Sequence, residues 1–154
     1  MKVGIISDTH GLLRPEAEHA LRGVDLIVHA GDVGHPEILI KLKRIAPVFA
    51  VRGNVDTEAW AQELPATTVV QAGGASFYVL HNLRELDLRP DAAKFDFVIS
   101  GHTHQPELSD RRGVLYLNPG SAGPRRFHLP VTLALVDLRQ RPWKADIVEL
   151  QLLK

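Results

Sequence analysis

The chain contains no cysteine. That removes disulfides and thiolate metal sites, and leaves any bound metal to harder nitrogen and oxygen ligands. No charge of either sign is in excess, because 18 Lys and Arg balance 18 Asp and Glu. General attraction to long nucleic acid or to an acidic membrane therefore has no electrostatic basis, although a local basic patch is still allowed. Long apolar runs are missing too, and none approaches the ~20 residues of a membrane span. The opening Met1-Lys2-Val3-Gly4-Ile5-Ile6-Ser7-Asp8 lacks the apolar region and small-residue cleavage site of a signal peptide. There is no internal repeat, low-complexity tract or linker. Together these absences predict a cytoplasmic protein of one domain over residues 1–154, long enough to bury one substantial core.

What is present is an α/β pattern. Short β-branched runs at 3–7, 26–30 and 47–51 alternate with helical spacing at 15–21 and 36–44. Pro15 suits a first helical turn and Gly23 the exit, while Ile38, Leu39, Leu42 and Ile45 form the inward stripe of the second helix. This βαβαβ order implies parallel strands. Beyond Asn54 the pattern becomes strand-rich. Runs at 67–71 and 76–80 flank Ala72-Gly73-Gly74-Ala75 as a hairpin, and a short helix is expected around 90–93. Further strands are expected at 95–100, 114–117, 131–138 and 145–150. The pattern predicts two mixed sheets packed together, with helices outside.

Metal-capable side chains fall at the strand ends. Asp8 and His10 follow the first strand, Asp32 the second and Asn54 the third. His81 ends the hairpin, and His102 and His104 follow the next strand. Four of the five strand ends set such a side chain beside a glycine, which lets the backbone turn sharply and an ion come close. In open α/β sheets the C-terminal strand ends line the ligand crevice. Seven N/O donors are too many for one zinc ion but suit a pair of divalent ions roughly 3.5–4 Å apart, able to clamp a phosphoryl group. Asn54 adds coordination without adding negative charge, which helps an anionic phosphate to enter.

The ordered set Asp8-Thr9-His10, Gly31-Asp32, Gly53-Asn54, His81, Gly101-His102-Thr103-His104 and Asn118-Pro119-Gly120-Ser121 resembles the calcineurin-like metallophosphoesterase superfamily. Within it, the resemblance is to the small bacterial and archaeal phosphodiesterases of the YfcE type. It spans about residues 1 to 138, and the whole series carries it rather than any one motif. The resemblance implies a four-layer α/β/β/α sandwich. It implies that Asp8, His10 and His104 hold one metal, that Asn54, His81 and His102 hold the other, and that Asp32 bridges them. Asp32, Asn54, His102 and His104 would serve catalysis, in which a hydroxide bridging the ions attacks phosphorus in line with the leaving oxygen. The ions would be Mn²⁺, with Fe²⁺, Ni²⁺ or Zn²⁺ also suited to the donor set. The substrate would be a small or nucleotide-like phosphoester.

Two positions depart from the pattern. Many phosphatases of the superfamily carry a general-acid His directly after the metal-binding Asn, where this chain has Val55. YfcE-type enzymes often lack it as well, and its absence favours esters with acidic leaving groups. Asn82 stands after His81 where the family usually has glycine, which makes His81 the least secure of the seven.

Taken singly, each residue has an ordinary reading. Asp8 or Asp32 can cap a helix, Asn54 and Asp56 are common turn residues, and His10 is a plausible surface-turn histidine. His29 reads as a core residue, His19 as solvent-facing, and His35 as a rim or capping residue. Arg125 and Arg126 offer positive charge for a phosphate, against the plain reading of a solvated pair. Alternative functions are a non-catalytic scaffold, as in the retromer subunit of this fold, or a phosphomonoesterase or nuclease. A homo-oligomer is compatible with the sequence.

Overall fold

The computed structural model describes residues 1–152. Its first sheet contains β1 (Lys2–Ile6), β2 (Leu26–His29), β3 (Val48–Ala50), β9 (Thr132–Asp137) and β10 (Lys144–Glu149), in the order β10-β9-β1-β2-β3. The second contains β4 (Thr67–Ala72), β5 (Ala75–Leu80), β6 (Phe97–Ile99), β7 (Glu107–Arg111) and β8 (Val114–Asn118), in the order β4-β5-β6-β8-β7. Strands β1, β2 and β3 run parallel, with α1 (Pro15–Ala20) and α2 (Pro36–Lys43) as the crossovers. Strands β5, β6 and β8 are likewise parallel. Both sheets are mixed, because β9, β10, β4 and β7 pair antiparallel.

Period-two alternation explains how one strand serves two layers. Val3 and Ile5 of β1 join Leu26 and Val28 in the core between the sheets, facing Phe77, Val79, Phe97 and Ile99. Ile6 and Ile27 face the opposite way and pack with Ala17, Leu21, Ile38 and Leu42 of the helical layer. Phe77 and Phe97 meet edge to face with centroids 4.5 Å apart. Each fully buried ring contributes about 2–3 kcal/mol of hydrophobic stabilisation. Gly4 is required here because a Cβ would overlap the Leu21 side chain.

The outer cover of the second sheet is thinner. Tyr78, Leu80, Val98 and Val114 are capped by Leu83, Leu86, Leu88 and Phe95, from a 3-10 turn at Leu83–Glu85 and the loop after it. Hydrogen-bonded turns replace the helix expected around 90–93, and Lys94 leaves them in the left-handed region at φ 63. Strand β7 was not anticipated. Neither was a five-residue 3-10 helix at Ala59–Glu63. No helix among the described residues is long and apolar enough to cross a membrane.

Candidate metal centre

The C-terminal ends of β1, β2, β3, β5 and β6 meet at one rim, and the seven expected ligand residues are brought together there. His10 Nε2 lies 3.8 Å from Asp8 Oδ1 and 3.6 Å from Asp32 Oδ2. His104 Nε2 lies 3.5 Å from Asp8 Oδ1 and 3.3 Å from His10 Nε2. His81 Nε2 lies 3.2 Å from Asp32 Oδ2 and 3.9 Å from Asp8 Oδ1. His102 and Asn54 complete the rim on the solvent side, with Nδ1 and Oδ1 3.1 Å apart. Two trios can each hold an ion: Asp8 with His10 and His104, and Asp8 with Asp32 and His81.

Backbone geometry places these groups. Asp8, His10, Asp32, His102 and His104 all adopt positive φ, between 45° and 74°. That region costs a non-glycine residue about 1–3 kcal/mol. Its concentration at one rim marks a functional constraint, with the surrounding fold holding the turns in place. Gly53 and Gly101 serve close approach instead. A Cβ on Gly53 would overlap Asp32, and one on Gly101 would overlap Ser7 Oγ and crowd the Asp8 carboxylate.

The donor set fits divalent ions on a specific ground. His81 Nδ1 is 2.7 Å from the Ala30 carbonyl, so it is the nitrogen that donates its hydrogen. In a neutral ring Nε2 then carries a lone pair, and it faces the lone pairs of Asp32 at 3.2 Å. Two such acceptors in a buried place call for a cation between them: a metal ion or, without one, the proton that Asp32 and Asp8 favour on His81. Asp8 Oδ1 and His81 Nε2 are both buried without a hydrogen-bond partner. A bound ion satisfies these atoms.

Proton affinities follow from the same crowding. Burial pushes the Asp8 carboxyl up to about 6, although His81 and the Ser7 hydroxyl work against it. Burial also opposes ionisation of Asp32, but a hydrogen-bonding contact with His81, the Val55 amide and the positive character of His81 and His10 outweigh it. Asp32 therefore titrates below the usual carboxylate range. For His81, burial is overcome by the Asp32 and Asp8 carboxylates, which raise its affinity for a proton. His104 is held down to about 4 by burial, by Arg126 and by His10. It presents a lone pair at neutral pH, which suits a ligand and does not suit a proton donor.

A second set of residues holds the ligand loops. Asp56 is buried and accepts hydrogen bonds from the Val33, Gly34 and Gly53 amides at 3.1, 2.9 and 2.9 Å. One carboxylate thereby ties the Asp32 loop to the Asn54 loop. Read from sequence as a turn residue, it is a positioning residue for both. Ser7 Oγ and the His102 amide donate to Asp8 Oδ2 at 2.8 and 3.1 Å. Asn118 Nδ2 donates to the Gly101 carbonyl and to Thr103 Oγ1, and Ser121 Oγ donates to the Asp8 carbonyl. The Asn118–Ser121 loop thus supports both ends of the cluster.

The remaining residues resolve as follows. His29 is fully buried, within 3.0 Å of Thr9 Oγ1, and burial lowers its pKa to about 4. His19 is exposed. His35, rather than Asp32, caps α2 by accepting from the Glu37 amide at 3.1 Å. Asn82 has φ −110 and caps the following turn, so no glycine is needed there and His81 keeps its place. Val55 is exposed, with its amide donating to Asp32 Oδ1 at 3.0 Å. Arg125 is turned to the Leu129 carbonyl, whereas Arg126 lines a cavity beside His102.

Residues 1–141 match the calcineurin-like phosphoesterase superfamily domain. The chain is 37% identical over 150 residues to a probable metallophosphoesterase of Methanothermobacter thermautotrophicus, covering 88% of this chain and 85% of that one. It is 29% identical over 162 residues to phosphodiesterase YfcE of Escherichia coli, covering 89% and 88%. In fold it is similar to Vps29 of Chaetomium thermophilum, with a TM-score of 0.77 at 18% identity over 97% of this chain and 96% of that one. By its motif order, its two-sheet fold and these relatives, the chain belongs to the calcineurin-like phosphoesterase superfamily: it is a metal-dependent phosphoesterase.

Proposed function

We propose that the chain is a dinuclear phosphodiesterase for small or nucleotide-like esters. Asp8, His10 and His104 would hold one ion, Asn54, His81 and His102 the other, with Asp32 shared. The observation that carries this reading is the convergence of three histidine Nε2 atoms on two buried carboxylates, with Asp8 Oδ1 and His81 Nε2 buried and without a hydrogen-bond partner. Divalent ions at such a site supply Lewis-acid polarisation of a phosphoryl oxygen and a water acidic enough to react near neutral pH.

The chain's own residues set the rest. Asp32 is kept ionised, with the Val55 amide fixing one of its oxygens, so it can serve both halves of the site. Asn54 and His102 lie on the open side, where substrate enters. Arg126 adds positive charge at that entrance. Val55 supplies no proton to a departing oxygen, and His104 is unprotonated at neutral pH. Leaving groups that are already acidic are therefore favoured, which points to aryl and nucleotide-type diesters over alkyl monoesters. For the metal we propose Mn²⁺, with Fe²⁺, Ni²⁺ and Zn²⁺ accepted by the same N/O set.

Metal analysis combined with hydrolysis of bis-p-nitrophenyl phosphate and p-nitrophenyl phosphate, with and without Mn²⁺, tests this. Metal-dependent hydrolysis with the diester preferred is the expected result. Full activity after thorough metal removal would overturn the mechanism. Stoichiometric metal without turnover of either ester would instead favour a scaffold role.

A further inference from the structure

On the second-sheet side of the ligand cluster lies a cavity of about 620 Å³. It shares Gly101, His102 and Asn118 with the site loops, so it opens directly from the place where a scissile phosphate is expected. Its other walls lie outside the seven candidate ligands. Arg84 comes from the 3-10 turn after β5, Arg111 from the end of β7, and Arg126 from the loop before β9.

Three arginines from separate segments thus line one concave space, and one acidic residue, Glu107, lines it with them. Glu107 and Arg111 stand 3.5 Å apart with both side chains about half exposed, a pairing too loose and wet to cancel much charge. Arg84 and Arg126 have no ion-pair partner among the described residues. Arg111 also lies over the Tyr116 ring, 4.4 Å from its centroid, a contact that limits its swing. Scattered surface arginines need no explanation, but three lining one hollow beside a reaction centre, two of them without an ion-pair partner, raise the local concentration of anions. Planar guanidinium forks match phosphate oxygens in particular. The scissile phosphate already has the metal centre, and the hollow is far larger than one phosphate.

We propose that this cavity is a subsite for a second phosphate on the same small substrate, held by Arg84, Arg111 and Arg126. The preferred substrates are then diesters of nucleotide-like compounds that carry a further phosphomonoester. This rests on the diesterase reading above for the reaction, but the binding it requires can be measured without turnover.

Isothermal titration calorimetry of the Mn²⁺-loaded protein with thymidine 3′,5′-bisphosphate, thymidine 5′-phosphate and thymidine 3′-phosphate reads the subsite directly. The bisphosphate should bind at least about tenfold tighter than either monophosphate, the gain expected from one added charged hydrogen-bonding group. In Arg84→Ala/Arg111→Ala the advantage should fall below about threefold, with Arg84→Lys intermediate because it keeps charge and loses the fork. Should the double variant fail to fold, the wild-type advantage must still shrink as NaCl rises from about 50 to 500 mM. Equal affinity for all three ligands, or an advantage that persists in the folded double variant, would overturn the subsite. If the bisphosphate is preferred while bis-p-nitrophenyl phosphate is not hydrolysed, the subsite stands and the diesterase reading falls. If the diester is hydrolysed without any bisphosphate preference, the reverse holds.

Discussion

The inner and outer halves of the metal centre are built by opposite means. On the inner side Asp8, Asp32, His81 and His104 are 0, 3, 6 and 3% exposed. Asp8 is anchored by Ser7 and the His102 amide, His81 by the Ala30 carbonyl and Asp32 by the Val55 amide. On the outer side Asn54 is exposed and His102 half-buried, and their side chains are linked to one another. The inner half therefore stores the unfavourable electrostatics of buried carboxylates and opposed lone pairs, which an ion relieves. The outer half stores little and keeps the opening that a substrate needs. Precise placement and access are thus assigned to different residues rather than compromised in each.

The largest effect should come from the inner half. Asp32→Asn keeps the shape but removes the charge that both halves share, and kcat/KM for bis-p-nitrophenyl phosphate should drop at least about 1,000-fold, or ~4 kcal/mol. Metal analysis should show lost stoichiometry in the same protein. Retention of both ions at full activity would contradict a shared role.

Asp8→Asn separates stability from function. In the metal-free protein the folded state holds the Asp8 proton up to about 6, above the ordinary 3.8. The folded form therefore binds more protons than the unfolded one over that interval, and metal-free stability falls as pH rises through it. Asparagine escapes this loss and tolerates the left-handed φ of 54. The metal-free variant should melt higher than wild type above pH ~6, by up to about 3 kcal/mol. The gap should close near pH 4 and reverse when Mn²⁺ is added. A metal-free variant that melts below wild type at pH 7 would show that the buried charge is already compensated.

Outer-half truncation should be milder and should leave folding intact. His102→Ala is expected to lower kcat/KM about 100-fold, with loss of one ion rather than both. The thermal midpoint of the metal-free protein should barely move. Smallest of all, Asp56→Asn should cost about tenfold in metal affinity, the usual size for a residue that orients ligands without touching the ion. A loss as large as that of Asp32→Asn would place Asp56 among the ligands.

The same contrast explains what could be read from the chain. The candidate ligands were legible because most pair a chemically distinctive side chain with a strand end and a nearby glycine, His81 excepted, and their order is long enough to be specific. Asp56 was not, because its importance lies in three backbone amides that come from other loops, and no residue type announces its acceptors. Strand β7, Glu107-Leu108-Ser109-Asp110-Arg111, carries little apolar alternation because it is an edge strand with most of its surface in solvent. The helix expected around 90–93 rested on local spacing alone. The segment closes a single turn, with the Ala93 amide donating to the Arg89 carbonyl and the Phe95 amide to the Pro90 carbonyl, and Lys94 at φ 63 leads straight on to Phe97 beside Phe77. The arginine-lined cavity draws on positions 84, 111 and 126, too far apart for any local pattern to join them.

One feature of the first sheet governs when the centre comes into being. Strand β1, which delivers Asp8, is paired on one side with β2 and on the other with β9, residues 132–137. The Asp8 carbonyl is further tied to Ser121, and the Ser7 carbonyl to Ala122. The first candidate ligand in chain order is thus clamped by residues that follow all the other candidate ligands in the sequence, and its setting closes only once they have paired with it. A chain that has paired β1 with β2 but not yet with β9 therefore carries Asp8, His10 and Asp32 without the contacts that fix the Asp8 turn.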